Sequence, residues 1–168
     1  VFKMKIDNIQ IGEDSPVYII AEIGINHNGS LENAFKLIDL AKESGCDAVK
    51  FQKRTPELAV PKDQWNIKRD TPWGEITYID YKNKIEFTLK EYKEIDSYCK
   101  KNNITWFASC WDQEAVKEMV SIDIKCFKIA SASLTDHDLI NDMLSYNLPL
   151  ILSTGMSTEK EIDETIQI

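Results

Sequence analysis

Five short apolar runs in this chain each end in polar residues able to hold an anion or move a proton. Glu22 closes residues 17–22, and Lys50 with Gln52 closes residues 48–52. Ser109 closes residues 104–109, Lys128 and Ser131 lie in residues 126–131, and Ser153 closes residues 149–153. A lysine ammonium binds phosphate as a point charge, and a serine hydroxyl adds a donor. A carboxylate can accept a hydroxyl or a proton. Side chains alternate faces along a strand, so Lys50 shares a face with Ala48 and Gln52, and Lys128 with Cys126 and Ala130. Ser109 goes with Phe107 and Ser153 with Ile151 by the same period. Ligands of parallel α/β folds sit at the carboxyl ends of the strands. One such face would gather Glu22, Lys50, Gln52, Ser109, Lys128 and the serines at a single mouth, suited to a phosphorylated or carboxylated ligand. The competing reading makes each lysine a solvated rim charge and Glu22 an ion-pair partner of Lys50. Two lysines at equivalent places in two repeats favour the binding role.

The other reactive side chains are less persuasive. His27 stands alone in the loop Asn26-His-Asn-Gly29, with no carboxylate at ligand spacing. His137 follows Asp136 near a helix start and reads as a capping or surface residue. Cys110 has no histidine arranged to activate it, so packing is the expected role. Cys46, Cys99, Cys110 and Cys126 form no Cys-x-x-Cys pair and fit free thiols of a reducing, cytoplasmic compartment. There is no Walker loop and no Gly-x-Gly-x-x-Gly.

Helical signals separate the five runs. Ser30 can cap a helix with Ala34, Leu37, Ile38 and Ala41 on one stripe, and Gly45 stands at its end. Thr88-x-x-Glu91 and Thr158-x-x-Glu161 are capping-box patterns. Asp112 opens a helix with Ala115, Val116, Met119 and Val120, and residues 135–145 form another around Leu139, Ile140, Met143 and Leu144. The order is therefore βα repeated five times without a hairpin between repeats, which requires parallel strands and crossover helices. Residues 5–11 add an extended element before the first repeat. Residues 53–87 form a long connection with little periodicity, expected as a partly ordered, lid-like excursion.

The chain has 168 residues, 43% hydrophobic and 29% charged, with a formal charge of −8. Disorder is excluded by the core-forming content. The acidic balance speaks against nucleic-acid and anionic-membrane partners, but a few lysines can still dominate one pocket. No apolar run approaches a membrane span, and no signal-peptide pattern follows the first residues.

The motifs Ala21-Glu-Ile-Gly-Ile-Asn-His-Asn-Gly29, Val49-Lys-Phe-Gln52, Phe127-Lys-Ile-Ala-Ser131 and Ile151-Leu-Ser-Thr-Gly-Met156 resemble the sialic acid synthase family. That family condenses phosphoenolpyruvate with N-acetylmannosamine or related amino sugars. The resemblance runs from about Ile11 to the last residue. It implies a TIM (β/α)8 barrel, of which residues 1–168 would supply the first five βα units, with an antifreeze-like domain beyond. It implies that Lys50, Ser109, Lys128, Ser131 and Ser153 bind phosphoenolpyruvate and that Glu22 and Gln52 face the sugar, with Glu22, Lys50 and Lys128 catalytic. A divalent metal, Mn²⁺ or Mg²⁺, is implied, its histidine ligands on later strands without counterparts here. A homodimer is implied for the full-length protein. Ser109 stands where some members carry Thr, and Ser133 where others carry Glu, which removes a carboxylate from the sugar side.

Three alternatives share these residues. One is a related synthase making an octulosonate or heptulosonate, although Asn26–Gly29 favours the amino-sugar branch. Another is a non-catalytic module binding phosphoenolpyruvate or a sugar phosphate. The third is a five-stranded flavodoxin-like domain, in which the strand-end lysines have no natural role. Five repeats are fewer than the eight of a closed barrel, so this chain alone is expected to be a poor catalyst that associates through exposed apolar faces.

Overall fold

In the computed structural model, which describes residues 4–168, the chain enters through an antiparallel hairpin of β1 (Met4–Ile6) and β2 (Ile9–Ile11). The βα repeats follow. β3 (Ile20–Gly24) leads into α1 (Leu31–Glu43), and β4 (Ala48–Lys53) leads through the long connection to α4 (Leu89–Asn102). Then come β7 (Thr105–Cys110), α5 (Gln113–Val120), β8 (Phe127–Ile129), α6 (His137–Leu144), β9 (Leu150–Leu152) and α7 (Glu159–Ile166). The order β3-β4-β7-β8-β9 is wholly parallel, with β3 and β9 at the edges. The fold is α/β, as the alternation of signals requires.

The helices begin where the sequence supplies acceptors for their free N–H groups. Ser30 accepts from Asn33, and Asp112 from Ala115. Thr88 with Glu91 and Thr158 with Glu161 make reciprocal capping boxes. Gly45, at φ +81, ends α1 while the Cys46 N–H reaches back to the Ala41 carbonyl, a Schellman closure. Strand limits move by one to three residues from the apolar runs, because pairing rather than hydrophobicity ends a strand.

Register divides the sheet into two faces. Val49, Phe51, Trp106, Ala108, Phe127 and Ile129 face the helices and pack with Ile38, Tyr92, Ile95, Met119 and Ile140. On the opposite face Ala48, Phe107 and Cys126 join Ile6 in a smaller cluster, with Ile11, Ile20 and Ile151 against it. The entering hairpin thus floors this second face. Thr105 Oγ1 donates to Asp7 Oδ2 at 3.1 Å and pins the hairpin turn to the start of β7.

The excursion between β4 and α4 differs from expectation. Instead of a partly ordered lid it contains α2 (Pro56–Ala59), a 3-10 turn at Lys62–Gln64, a hairpin of β5 (Lys68–Thr71) and β6 (Gly74–Thr77), and α3 (Tyr78–Ile85). A hairpin therefore does interrupt the second repeat. The anchors are non-local, which is why periodicity is silent here. Thr55 donates through N–H and Oγ1 to Asp112, 57 residues away, and Lys53 Nζ donates to the Phe87 carbonyl, 34 residues away. The Arg69–Gly74 stretch forms the exposed hairpin, with Arg69 5.1 Å above the Tyr78 ring.

Candidate functional site

The parallel register brings the strand-end polar residues together. Glu22 is the register partner of Lys50, and Gln52 of Ser109, which in turn pairs with Lys128. Paired residues share a face, so Glu22, Lys50, Gln52, Ser109 and Lys128 all stand on the face floored by Ala48, Phe107 and Cys126. Ser153 shares the parity of Ile151, which pairs with Lys128. Ser131 lies in the 3-10 turn after β8, and a Cβ added to Gly155 would sit 3.5 Å from the Ser131 Cβ. The loops after β8 and β9 are therefore in contact. The seven residues expected at one mouth are all at this end of the sheet.

Lys50 is 2% exposed, and its Nζ lies 2.5 Å from Glu22 Oε2, with Glu22 much more open to solvent. Lys50 thus makes the ion pair with Glu22, which neutralises a buried ammonium that would otherwise carry a large desolvation cost. Lys128 is half-buried and titrates below the ordinary lysine value, first through burial and then through the positive charge of Lys50, opposed by Glu22. The two ammonium groups are close enough for the charge of Lys50 to disfavour the charged form of Lys128. Ser109 Oγ is buried with no hydrogen-bond partner among the described residues. A buried hydroxyl without a protein partner keeps its donor free for a water or a ligand on this face.

The β3 end is shaped by backbone. The β3–β4 register slips between Glu22 and Gly24, where Gly24 takes φ +57. This bulge turns the chain across the strand end, and a Cβ on Gly24 would lie 3.7 Å from Gln52 Nε2. The following loop is held down by His27, which stacks on Phe87 at 4.0 Å and accepts the Gly29 N–H at Nδ1. Burial lowers its pKa to about 4, so it is neutral. Cys110 is fully buried, and burial raises its thiol well above the ordinary range, in keeping with inert packing. All four cysteines are free, Cys46 being only partly buried. His137 is the first residue of α6, whose cap is Asp136.

Sequence reasoning passed over a second cluster beside this mouth. Arg54 and Lys82, 6% and 7% exposed, line a cavity of about 330 Å³ together with Gln52, Gln64, Tyr78 and Trp111. Arg54 Nε lies 2.6 Å from Glu86 Oε1, Arg54 Nη2 donates to Gln52 Oε1, and the guanidinium stacks 4.7 Å over Trp111. The signals for it in the sequence are Arg54, two residues past Gln52, and the Tyr78–Lys82 pair at i, i+4. Nothing local says that either cation is buried.

No group of three or more His, Cys, Asp or Glu side chains able to hold a metal occurs among the described residues. The described residues do not by themselves fit a metal centre, and no helix among those described is long and apolar enough to cross a membrane.

The scaffold is α/β, with lysines and serines at the carboxyl ends of parallel strands, where the ligands of such folds bind. Residues 37–168 match the NeuB family model, and the chain belongs to the NeuB family. It is 36% identical to the N,N'-diacetyllegionaminic acid synthase of Campylobacter jejuni, over 89% of this chain and 46% of that protein. It is 35% identical to the N-acetylneuraminate-9-phosphate synthase of Drosophila melanogaster, over 90% of this chain and 41% of that one. The crystal structure of N-acetylneuraminic acid (sialic acid) synthetase from Leptospira borgpetersenii, solved with citrate, superposes with a TM-score of 0.84 at 28% identity, covering 99% of this chain and 54% of that chain. The chain therefore spans about half the length, or less, of the relatives it matches, and its kinship is with synthases of nonulosonate sugars.

Proposed function

We propose that this chain is the phosphoenolpyruvate-binding portion of a nonulosonate synthase, the first five βα units of a (β/α)8 barrel. The reaction condenses phosphoenolpyruvate with an N-acetylated amino sugar. The observation that carries the reading is the convergence of Lys50, Lys128 and the unpartnered Ser109 hydroxyl on one sheet face. Lys50 and Lys128 hold the carboxylate and phosphate of phosphoenolpyruvate, and Ser109, Ser131 and Ser153 donate to its oxygens. Carbon 3 attacks the aldehyde of the open-chain sugar and forms the new C–C bond. Water adds to carbon 2, and the tetrahedral intermediate collapses with C–O cleavage to release phosphate. The fixed ammonium charges stabilise the anionic groups in a site that needs no reorganisation. Glu22 and Gln52 face the sugar, with Glu22 orienting or deprotonating a hydroxyl or the attacking water. The divalent metal that the family resemblance implies would draw its ligands from residues outside this chain. A cytoplasmic homodimer is the assembly that accompanies this reading.

The test uses the complete gene product, phosphoenolpyruvate labelled isotopically at its bridging oxygen, and N-acetylmannosamine with related amino sugars. The expected result is stoichiometric phosphate carrying the label and a product whose mass is the sum of both substrates plus water less phosphoric acid. Binding of phosphoenolpyruvate without phosphate release would favour the non-catalytic module. Release of unlabelled phosphate would rule out C–O cleavage.

A further inference from the structure

A glutamine amide has an acceptor at one end and two donors at the other, and a half-turn of the amide exchanges them. At Gln52 the two orientations would recognise opposite groups of a sugar. One donates to an oxygen, and the other accepts from a hydroxyl. The backbone does not choose between them. Tyr92 Oη donates to the Gln52 carbonyl at 2.6 Å from a fully buried ring, which fixes the main chain and leaves the side chain free to turn.

Arg54 makes the choice. It stands just past the end of β4, two positions after Gln52, and its Nη2 donates to Gln52 Oε1. A guanidinium has donors only, so the reversed amide would set N–H against N–H. The amide oxygen is thereby committed to Arg54. The Nε2 end lies on the β3 side, where a Cβ on Gly24 would come within 3.7 Å of it. The guanidinium is itself held in place. Its Nε lies 2.6 Å from Glu86 Oε1, the Arg54 backbone N–H donates to Glu86 Oε2 at 3.3 Å, and its plane stacks 4.7 Å over Trp111. Both side chains of the ion pair are buried. A lysine here would offer a point charge without the planar fork that serves Glu86 and Gln52 in fixed directions. Buried pairs of this kind are weak sources of stability. Directional control of Gln52 is the role that this geometry serves.

We propose that Arg54, anchored by Glu86 and Trp111, is a positioning residue that locks the Gln52 amide with its N–H pair toward the acceptor, so that Gln52 recognises the sugar by donating to one of its oxygens. This rests on the synthase reading, and the experiment separates the two. The complete gene product is assayed with N-acetylmannosamine, or the related amino sugar it turns over in its place, as the varied substrate. Gln52→Ala is expected to raise the KM for the sugar about fivefold or more, the size of one lost hydrogen bond, with a smaller change in the KM for phosphoenolpyruvate. Arg54→Met, combined with Glu86→Gln so that no lone carboxylate stays buried, is expected to do the same. Added to Gln52→Ala, that pair should change the sugar KM by less than about twofold, because residues acting through one group do not add. Losses that add overturn the proposal, and so does an unchanged sugar KM in Gln52→Ala or in the Arg54 variant. A second measurement does not depend on the folding of the Arg54 variant. Isotopic labelling of glutamine nitrogen and NMR relaxation read the Gln52 side-chain amide in the wild type, its signals assigned by their absence in Gln52→Ala. A rigid amide supports the lock, and a freely reorienting one overturns it. Failure to consume phosphoenolpyruvate with any amino sugar overturns the synthase reading instead, and the amide measurement then decides the Arg54 lock by itself.

Discussion

Lys50 Nζ and Glu22 Oε2 lie 2.5 Å apart across neighbouring parallel strands, yet the lysine side chain is 2% exposed and the glutamate 59%. The pair is register-locked, since Glu22 and Lys50 are direct β3–β4 partners. Its asymmetry leaves the carboxylate at the mouth and the ammonium beneath. For the synthase reading we expect Lys50→Ala and Lys128→Ala each to lower kcat/KM by on the order of 10²–10³, the range for removing one preorganised charge-stabilising group. Steady-state kinetics on the complete gene product check this. Near-normal turnover in Lys128→Ala would remove that residue from the site.

Ser109 separates function from stability. Its hydroxyl is buried and has no partner among the described residues, and such a group costs roughly 1–3 kcal/mol if it stays unpaired. Ser109→Ala should therefore unfold at the same denaturant midpoint as the wild type or a slightly higher one. The KM for phosphoenolpyruvate should rise about tenfold, the size of one lost hydrogen bond to a charged acceptor. A clearly destabilised variant with unchanged KM would make Ser109 structural.

Gly29 is the tightest backbone position near the site. At φ +70, a Cβ would fall 2.3 Å from the Lys84 carbonyl oxygen at the end of α3. Neither the conformation nor the neighbour can yield cheaply, because both are backbone. We expect Gly29→Ala to cost roughly 2–3 kcal/mol, the usual range for such strain. Urea denaturation measures it, and a loss below about 0.5 kcal/mol would mean that the loop is free of α3.

His27 links stability to pH. Its folded pKa is about 4, and burial is the main cause. An unfolded histidine titrates near 6.5, so between these values the unfolded chain binds the extra proton. Its contribution to stability is full above about pH 6.5 and is lost as pH falls toward 4. The whole contribution is on the order of 3 kcal/mol, because a tenfold difference in proton affinity between the two states is worth about 1.4 kcal/mol. We expect His27→Gln, which keeps an acceptor for the Gly29 N–H, to flatten the acid side of the stability profile relative to the wild type. Parallel profiles for the two proteins would place His27 in water.

The local features of this molecule could be read before any tertiary structure. Thr88 and Glu91, or Thr158 and Glu161, need only each other and one turn of helix. The face shared by Lys50 and Gln52 follows from the pleat alone. The alternation of segments required a parallel sheet, and the strand-end residues named seven members of the candidate site. What the chain's pattern left undecided depends on partners far apart in sequence. Glu22 meets Lys50 because two strands pair in one register, and a one-residue slip would turn Lys50 toward the helices. His27 is buried because Phe87, sixty residues on, stacks over it. The excursion reads as aperiodic because its order comes from Asp112 holding Thr55 and from Lys84 crowding Gly29, contacts no window of neighbouring residues contains. Lys82 is the clearest case. In sequence it is one of many surface-helix lysines, and only the packing of α3 near the Arg54 side chain makes it a buried cation with no carboxylate in ion-pair reach among the described residues.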